Sequence, residues 1–141
     1  MGRCNLLPRW SVYVPKAYNP QAHMDRFRPQ AHLPLTPVAF EILLALADGE
    51  RHGYSIMREV AERSSGAITL HPGTLYRALA RLLESGLIEE LDERPHVEND
   101  DERRRYYRLT PHGIAVARAE AERLAGQLAA ARHRKLLKGR A

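Results

Sequence analysis

The feature that most constrains the fold is residues 71–90, which read HPGTLYRALARLLESGLIEE. Pro72 suits the first turn of a helix, and Gly86 suits the position just after a helix end. Between them, leucines recur at helical spacing and fall on one face: Leu75, Leu79 and Leu82. The sequence therefore predicts a helix from Pro72 to about Ser85 with one apolar face to bury, followed by a short apolar segment.

Two further helices are predicted ahead of this one. Thr36 is a good N-cap, and Asp48 and Gly49 end the apolar stripe that follows it. The segment HGYSIMREVAERSSG then predicts a second helix that ends at Gly66. Residues 67–70, AITL, are rich in β-formers, so we expect a minimal strand there.

After the third helix, the segments LIEELDE and RRRYYRLT predict two antiparallel strands joined by the polar loop RPHVENDDE. Alternation in the second strand puts Tyr107 and Leu109 on one face. Thr110 repeats the helix-start signal, so a long last helix is expected to run to about Lys135.

This order of elements predicts a mainly α fold with a small antiparallel β-hairpin, namely a winged helix-turn-helix followed by a long C-terminal dimerisation helix. We expect the DNA-binding domain at 35–110, and the dimerisation helix with a basic tail at 111–141. Residues 1–34 hold five of the nine prolines and no helical period, which predicts a mostly disordered basic tail. Met24 is our hypothesis for the natural start, and a DNA-contacting arm is the alternative interpretation of the tail.

Composition limits the classes of partner, location and activity that the sequence allows. The net charge of +5 favours an anionic partner such as nucleic acid or a membrane surface. The lone Cys4 cannot form an internal disulfide, which fits a cytoplasmic location. Apolar runs fall short of the roughly 20 residues that span a bilayer, so no membrane partner is expected. The histidines lack metal-ligand spacing and catalytic motifs are missing, so we expect no cofactor, no metal and no enzyme activity.

The third helix is the expected recognition helix. Its outer face is small, polar and cationic, and a helix of this width fits the major groove, where arginine can bond guanine edges. Arginines at the base of the hairpin are expected on the phosphate backbone. The residues that we expect to contact DNA are His71, Gly73, Thr74, Tyr76, Arg77, Arg81, Arg103, Arg104, Arg105 and Tyr54. The alternative is that these arginines only solvate the surface or pair locally with the acidic loop ENDDE.

The last helix carries an apolar stripe with steps of three and four residues. This is the a/d pattern of a coiled-coil seam, so we expect a homodimer. The stripe consists of Ile114, Ala117, Ala121, Leu124, Leu128 and Ala131. The alternative is that the stripe packs only on the first helix of its own chain.

Three segments together, HGYSIMREV, HPGTLYRALARLLESGLIEE and RRRYYRLTPHG, resemble the PadR family of bacterial transcriptional regulators. The resemblance covers about Leu35 to Gly113 and points to the compact branch with a single C-terminal helix. It implies a homodimeric repressor that binds double-stranded DNA at a palindromic operator. Members are often released by a small molecule or controlled by stress, so an effector at the dimer interface is a further expected partner.

Two other functions compete with a repressor. One is a winged-helix module that binds protein and not DNA, which the acidic loop would suit. The other is a sensor that holds a small apolar molecule between the helices of the dimer. The affinity for random duplex DNA distinguishes these functions, because counterion release makes the affinity of a DNA-binding protein fall steeply with salt.

Overall fold

The computed structural model describes residues 27–91 and 105–138. Within these ranges, a 3-10 helix, four α-helices and three strands follow one another. In order they are the 3-10 helix Pro29–His32, α1 Pro37–Leu46, β1 Arg51–His52, α2 Gly53–Arg63, α3 Pro72–Glu84, β2 Ile88–Leu91, β3 Tyr106–Leu109 and α4 Pro111–His133. The winged helix-turn-helix fold with a long C-terminal helix is confirmed. Within the described ranges, none of the helices is long and apolar enough to cross a membrane.

Side chains at the helix starts explain where α1, α2 and α4 begin. Thr36 and Thr110 each accept a hydrogen bond from the backbone N–H three residues on, at 3.2 and 3.0 Å. His52 caps α2 in the same way, since its Nδ1 accepts from the Ser55 N–H at 3.1 Å. The C-terminal end of α4 lies slightly before the expected position, because Lys135 takes a positive φ of 57° and stops the helix.

The small sheet differs from the prediction in its first strand. The order is β1-β3-β2 with both pairings antiparallel, and the pair β2–β3 is the expected hairpin, with Ile88 opposite Leu109. The prediction of a strand at 67–70 was wrong. In the middle of this segment the Ile68 N–H donates to the Ser64 hydroxyl at 3.0 Å, so it bonds locally and not to a strand. The third strand is instead β1, which pairs with Tyr106 and Tyr107.

One apolar core lies between α1, α2, α3 and the sheet, and the first half of α4 closes it. The predicted leucine face of α3 is buried, as are the middle of α1 and the inward side of β3, where Tyr107 is 3% exposed. The largest fully buried apolar side chains are Ile42, Leu43, Ile56, Leu75, Leu79, Leu87, Ile88, Val60 and Val116. Burial also raises the pKa of the Tyr107 phenol.

A closely packed junction holds the start of α4 against the turn between α3 and β2. The Thr110 hydroxyl donates to the Gly86 carbonyl at 2.6 Å, and the Thr110 N–H donates to the Leu87 carbonyl at 3.1 Å. Gly113 is buried in the first turn of α4, where a Cβ would lie 1.8 Å from the Leu87 carbonyl oxygen. The helix and the backbone of residue 87 can therefore approach this closely only because residue 113 is glycine.

Residues 27–35 run along α4, although the sequence had placed most of them in a disordered tail. The 3-10 helix packs on α4, and the Nε2 atoms of His32 and His112 lie 3.1 Å apart. Further along, the buried Glu120 side chain is held by Arg123 at 2.6 and 2.7 Å. The Arg123 guanidinium keeps the pKa of Glu120 below its ordinary value, and a hydrogen bond from the Leu35 backbone acts in the same direction. These contacts order the start of the domain; residues 1–26 of the predicted tail lie outside the described ranges.

Candidate nucleic-acid interface

The start of α3 differs from the starts of α1, α2 and α4. His71 occupies the N-cap position with extended backbone, but within the described chain its side chain makes no capping hydrogen bond. Pro72 and Gly73 follow, and Gly73 is exposed with open space around it. The first backbone N–H groups of α3 are therefore open to an outside acceptor, and the helix dipole favours a negative one.

The outer face of α3 carries the two arginines that the sequence singled out. Arg77 and Arg81 are exposed one turn apart, and Thr74 beside them is half-buried. The Arg77 Nε–H donates to the Gly73 carbonyl at 3.2 Å, which orients its side chain toward the start of the helix. The leucine face lies on the opposite side of α3, in the core. Packing of the leucines therefore decides which side of the helix the arginines present to solvent.

These two arginines differ in charge pairing from the arginines of α2 and of the wing. Within the described ranges, Arg58 and Arg63 on α2 and Arg105 and Arg108 on the wing form ion pairs with carboxylates. Within the same ranges, neither Arg77 nor Arg81 has a carboxylate within ion-pair distance. Their positive charge is therefore available to an anion that arrives from outside the chain.

Aromatic side chains flank the start of α3. Tyr76 is exposed, and its hydroxyl would lie 3.2 Å from a Cβ placed on Gly53, so α2 and α3 cross closely at this point. Tyr54, 64% exposed, stacks on the His52 ring, and His52 meets Tyr106 edge to face at 5.5 Å. The start of α2, the start of α3 and strand β3 therefore present their aromatic rings on neighbouring surfaces. His52 has a structural role as the α2 cap.

Only one of the three expected wing arginines falls in the described ranges. Arg105 is exposed and lies 3.5 Å from the Glu90 carboxylate on the neighbouring strand. Next to it, Arg108 pairs with Glu89 and with Glu50. Arg105 and Arg108 therefore form local ion pairs with carboxylates on β2 and in the turn before β1. The acidic loop ENDDE lies outside the described residues. Arg103 and Arg104 also lie outside them.

The predicted seam on α4 is only partly covered by its own chain. The side of α4 that enters the core carries Gly113, Val116 and Glu120, and of the seam only Ala117 packs against the core. Ile114 and Leu128 are 40% and 43% exposed. The other members are exposed or half-buried, and they are Ala121, Leu124 and Ala131. The apolar stripe thus faces away from the monomer core along most of its length.

Sequence reasoning missed two groups that position these elements. Gly113 sets the approach of α4 to β2, and a glycine in the first turn of a helix was the available signal for close packing. The clamp formed by Glu120, Arg123 and the backbone of Leu35 had no local signal. A charged pair three residues apart on a helix is an ordinary surface pattern.

A recognition helix with a cationic outer face beside a small antiparallel wing defines a winged helix-turn-helix protein, the fold class of many transcription regulators. The chain belongs to the transcriptional regulator PadR-like family, whose model matches residues 42–119, more than half of the sequence.

Three solved structures resemble this chain. A transcriptional regulator from Clostridium thermocellum is 30% identical with a TM-score of 0.57, and the match covers 72% of this chain and 90% of that one. RosR of H. salinarum is 28% identical with a TM-score of 0.53, and the match covers 70% and 78% of the two chains. The Bacillus subtilis PadR structure in complex with operator DNA is 23% identical, with a TM-score of 0.51 and coverage of 64% and 48%, and shares the fold.

Similarity also extends to an uncharacterized 37.1 kDa protein in transposon TN4556 of Streptomyces fradiae. That protein is 42% identical over 84 residues, which are 60% of this chain. The matched part is 22% of the relative's own length, so the likeness concerns one portion of it.

Proposed function

We propose that this protein is a sequence-specific DNA-binding repressor that acts as a homodimer on a palindromic operator. The observation that carries the proposal is the pair Arg77 and Arg81, exposed on α3 and without a carboxylate partner in the described chain. Arginine can bond the two acceptors of guanine in the major groove. In this proposal the uncapped start of α3 receives a phosphate and sets the register of the helix in the groove.

Dimerisation through the α4 seam supplies the second recognition helix. The seam has a/d spacing, and most of it faces away from its own core. A two-fold dimer meets two half-sites about one DNA turn apart, roughly 34–36 Å. The palindrome in the proposed operator mirrors that symmetry.

The first test begins by finding a DNA sequence that the protein prefers. A binding sequence is selected from random duplexes with the full chain, and affinity is then measured on that sequence and on an unrelated duplex. Arg77→Ala and Arg81→Ala should each weaken binding to the selected sequence by about 1–3 kcal/mol and relax its specificity at one base pair. Binding to the unrelated duplex should change far less.

A matched control removes the same charge elsewhere. Arg132→Ala changes an exposed arginine near the end of α4 and should leave the sequence preference intact. Equal losses on both duplexes for Arg77→Ala and Arg81→Ala would show that these side chains touch only phosphate. Absence of salt-dependent binding to any duplex would instead favour the protein-interaction module.

A further inference from the structure

Two histidine rings meet where the segment that leads into α1 crosses the start of α4. His32 is the last residue of the 3-10 helix, and His112 lies in the first turn of α4. Their Nε2 atoms are 3.1 Å apart, and their ring centroids are 5.0 Å apart with the planes inclined at 68°. The two residues are separated by 80 positions in the sequence, so only the fold brings these nitrogens together.

The distance between the two nitrogens suits a shared proton or a shared metal ion. A neutral imidazole has one N–H and one lone pair, so one Nε2–H can donate to the other Nε2. Two imidazoles at about 2.0–2.1 Å from one ion place their nitrogens about 3.3 Å apart on a tetrahedron and about 2.9 Å apart at adjacent corners of a square. The observed distance lies between these two values, and a movement of about 0.2 Å reaches either geometry.

The surroundings of the pair determine which ions it would select. Both histidines are half-buried, so solvent reaches them, and the Phe27 ring lies 6.2 Å from the ring of His112. Among the described residues, no group of three His, Cys, Asp or Glu side chains is placed to hold a metal, so the pair supplies two ligands and water supplies the others. Imidazole nitrogens favour Zn²⁺, Cu²⁺ and Ni²⁺, whereas Mg²⁺ and Ca²⁺ prefer oxygen ligands.

We infer that His32 and His112 form a two-ligand binding site for a divalent transition-metal ion such as Zn²⁺. Each ring binds the ion through Nε2 and carries its proton on Nδ1. The ring that donates in the metal-free pair therefore changes tautomer, and no net proton is released. The site is separate from the proposed DNA contacts and does not depend on them.

A bound ion would join the 3-10 helix to α4. The two nitrogens are brought together only by folding, so an ion that binds both stabilises the folded chain. The affinity is limited because the protein supplies two ligands and because the positive end of the α4 dipole lies near His112. We expect a dissociation constant of about 1–100 µM, weaker than that of a structural zinc site with four protein ligands.

The first experiment measures the binding of Zn²⁺ alone. The full chain is freed of metal with a chelator, and zinc chloride is titrated calorimetrically. One ion should bind per protomer in the stated range, and Mg²⁺ should not bind. At ten times the dissociation constant, Zn²⁺ should raise the melting temperature by about 3–6 °C. Absence of saturable zinc binding would refute the inference.

Variants locate the ion. Glutamine is polar and similar in size to histidine but is not a usual zinc ligand, so His32→Gln and His112→Gln should each weaken zinc binding at least about tenfold. His133→Gln, at the other end of α4, and Cys4→Ser should leave zinc binding unchanged. Circular dichroism shows that each variant is folded. Equal zinc binding by the wild type and by both variants of the pair would place the ion elsewhere and overturn the site.

A measurement on the wild-type chain does not depend on the folding of any variant. The ¹⁵N resonances of the imidazole rings are recorded by nuclear magnetic resonance during a zinc titration. The Nε2 signals of His32 and His112 should shift together, with Nδ1 of both rings protonated, while the signals of His52 stay in place. Shifts confined to other histidines would show that the pair shares only a proton.

Discussion

Replacement of Gly113 by alanine tests the junction that holds α4 against the DNA-binding unit. The new Cβ would lie 1.8 Å from the Leu87 carbonyl oxygen, and contacts under 3.0 Å essentially do not occur. The backbone of α4 and that of residue 87 must therefore separate by about 1.2 Å, from 1.8 to at least 3.0 Å. Neither side is a flexible side chain that could rotate away.

The size of the effect follows from what this separation breaks. The hydrogen bonds from Thr110 to Gly86 and Leu87 cross the junction, and each contributes about 0.5–1.5 kcal/mol. Overpacking strain adds about 1–3 kcal/mol, and the better helix propensity of alanine returns at most about 1 kcal/mol. We expect Gly113→Ala to lower the free energy of unfolding by about 3 kcal/mol.

The assay is urea unfolding at a fixed protein concentration, followed by circular dichroism. Gly126→Ala is the matched control on the same helix, because a Cβ at Gly126 meets nothing within 4 Å. It should raise the free energy of unfolding by about 0.5–1 kcal/mol. If Gly113→Ala lies within about 0.5 kcal/mol of the wild type, α4 moves away from Leu87 freely and the junction does not fix it.

Three further predictions concern other parts of the chain. Leu128→Lys should give a folded monomer in size-exclusion chromatography because an unpaired ammonium is costly in the seam, while Ala129→Lys, one position away, should stay dimeric. Arg123 lowers the pKa of Glu120, so the pair stabilises the fold fully above the unfolded pKa of a glutamate, about 4.3. That contribution is lost as the pH falls through the folded pKa. In Glu120→Gln, the free energy of unfolding should therefore depend less on pH in this window. Arg105→Ala should lower the salt slope of DNA binding by about one unit if this side chain meets phosphate, and an unchanged slope would assign it to its ion pair with β2 alone.

Local signals in the sequence were sufficient to predict α1, α2, α3 and α4, but not the 3-10 helix Pro29–His32. Pro72 in the first turn and Gly86 after the last turn give the bounds of α3 to within a residue, and the leucine spacing gives its buried face. The position of Arg77 and Arg81 on the exposed side follows from the same spacing. These features depend on residues close together in the chain, which is why pattern reasoning succeeds for them.

Contacts between distant residues could not be predicted in this way. Strand β1 has two residues and forms because they pair with Tyr106 and Tyr107 of β3. Residues 67–70 have higher β-propensity, but the Ile68 N–H donates to the Ser64 hydroxyl and not to a neighbouring strand. Glu120 has the sequence pattern of a surface residue, but in the fold it accepts a hydrogen bond from the backbone of Leu35. In each case a partner outside the local pattern decides the outcome.

The two contacts that sequence reasoning missed are also those that connect the proposed dimer seam to the recognition helix. Gly113 fixes the start of α4 to the turn that ends α3, and the Glu120 clamp fixes its third turn to the residues that lead into α1. The seam starts at Ile114, one residue after the junction. In the proposed dimer, the spacing of the two α3 helices is therefore set by a short rigid connection and not by a linker. A change at the junction should alter half-site spacing, whereas a change at Arg77 should alter the base that is read.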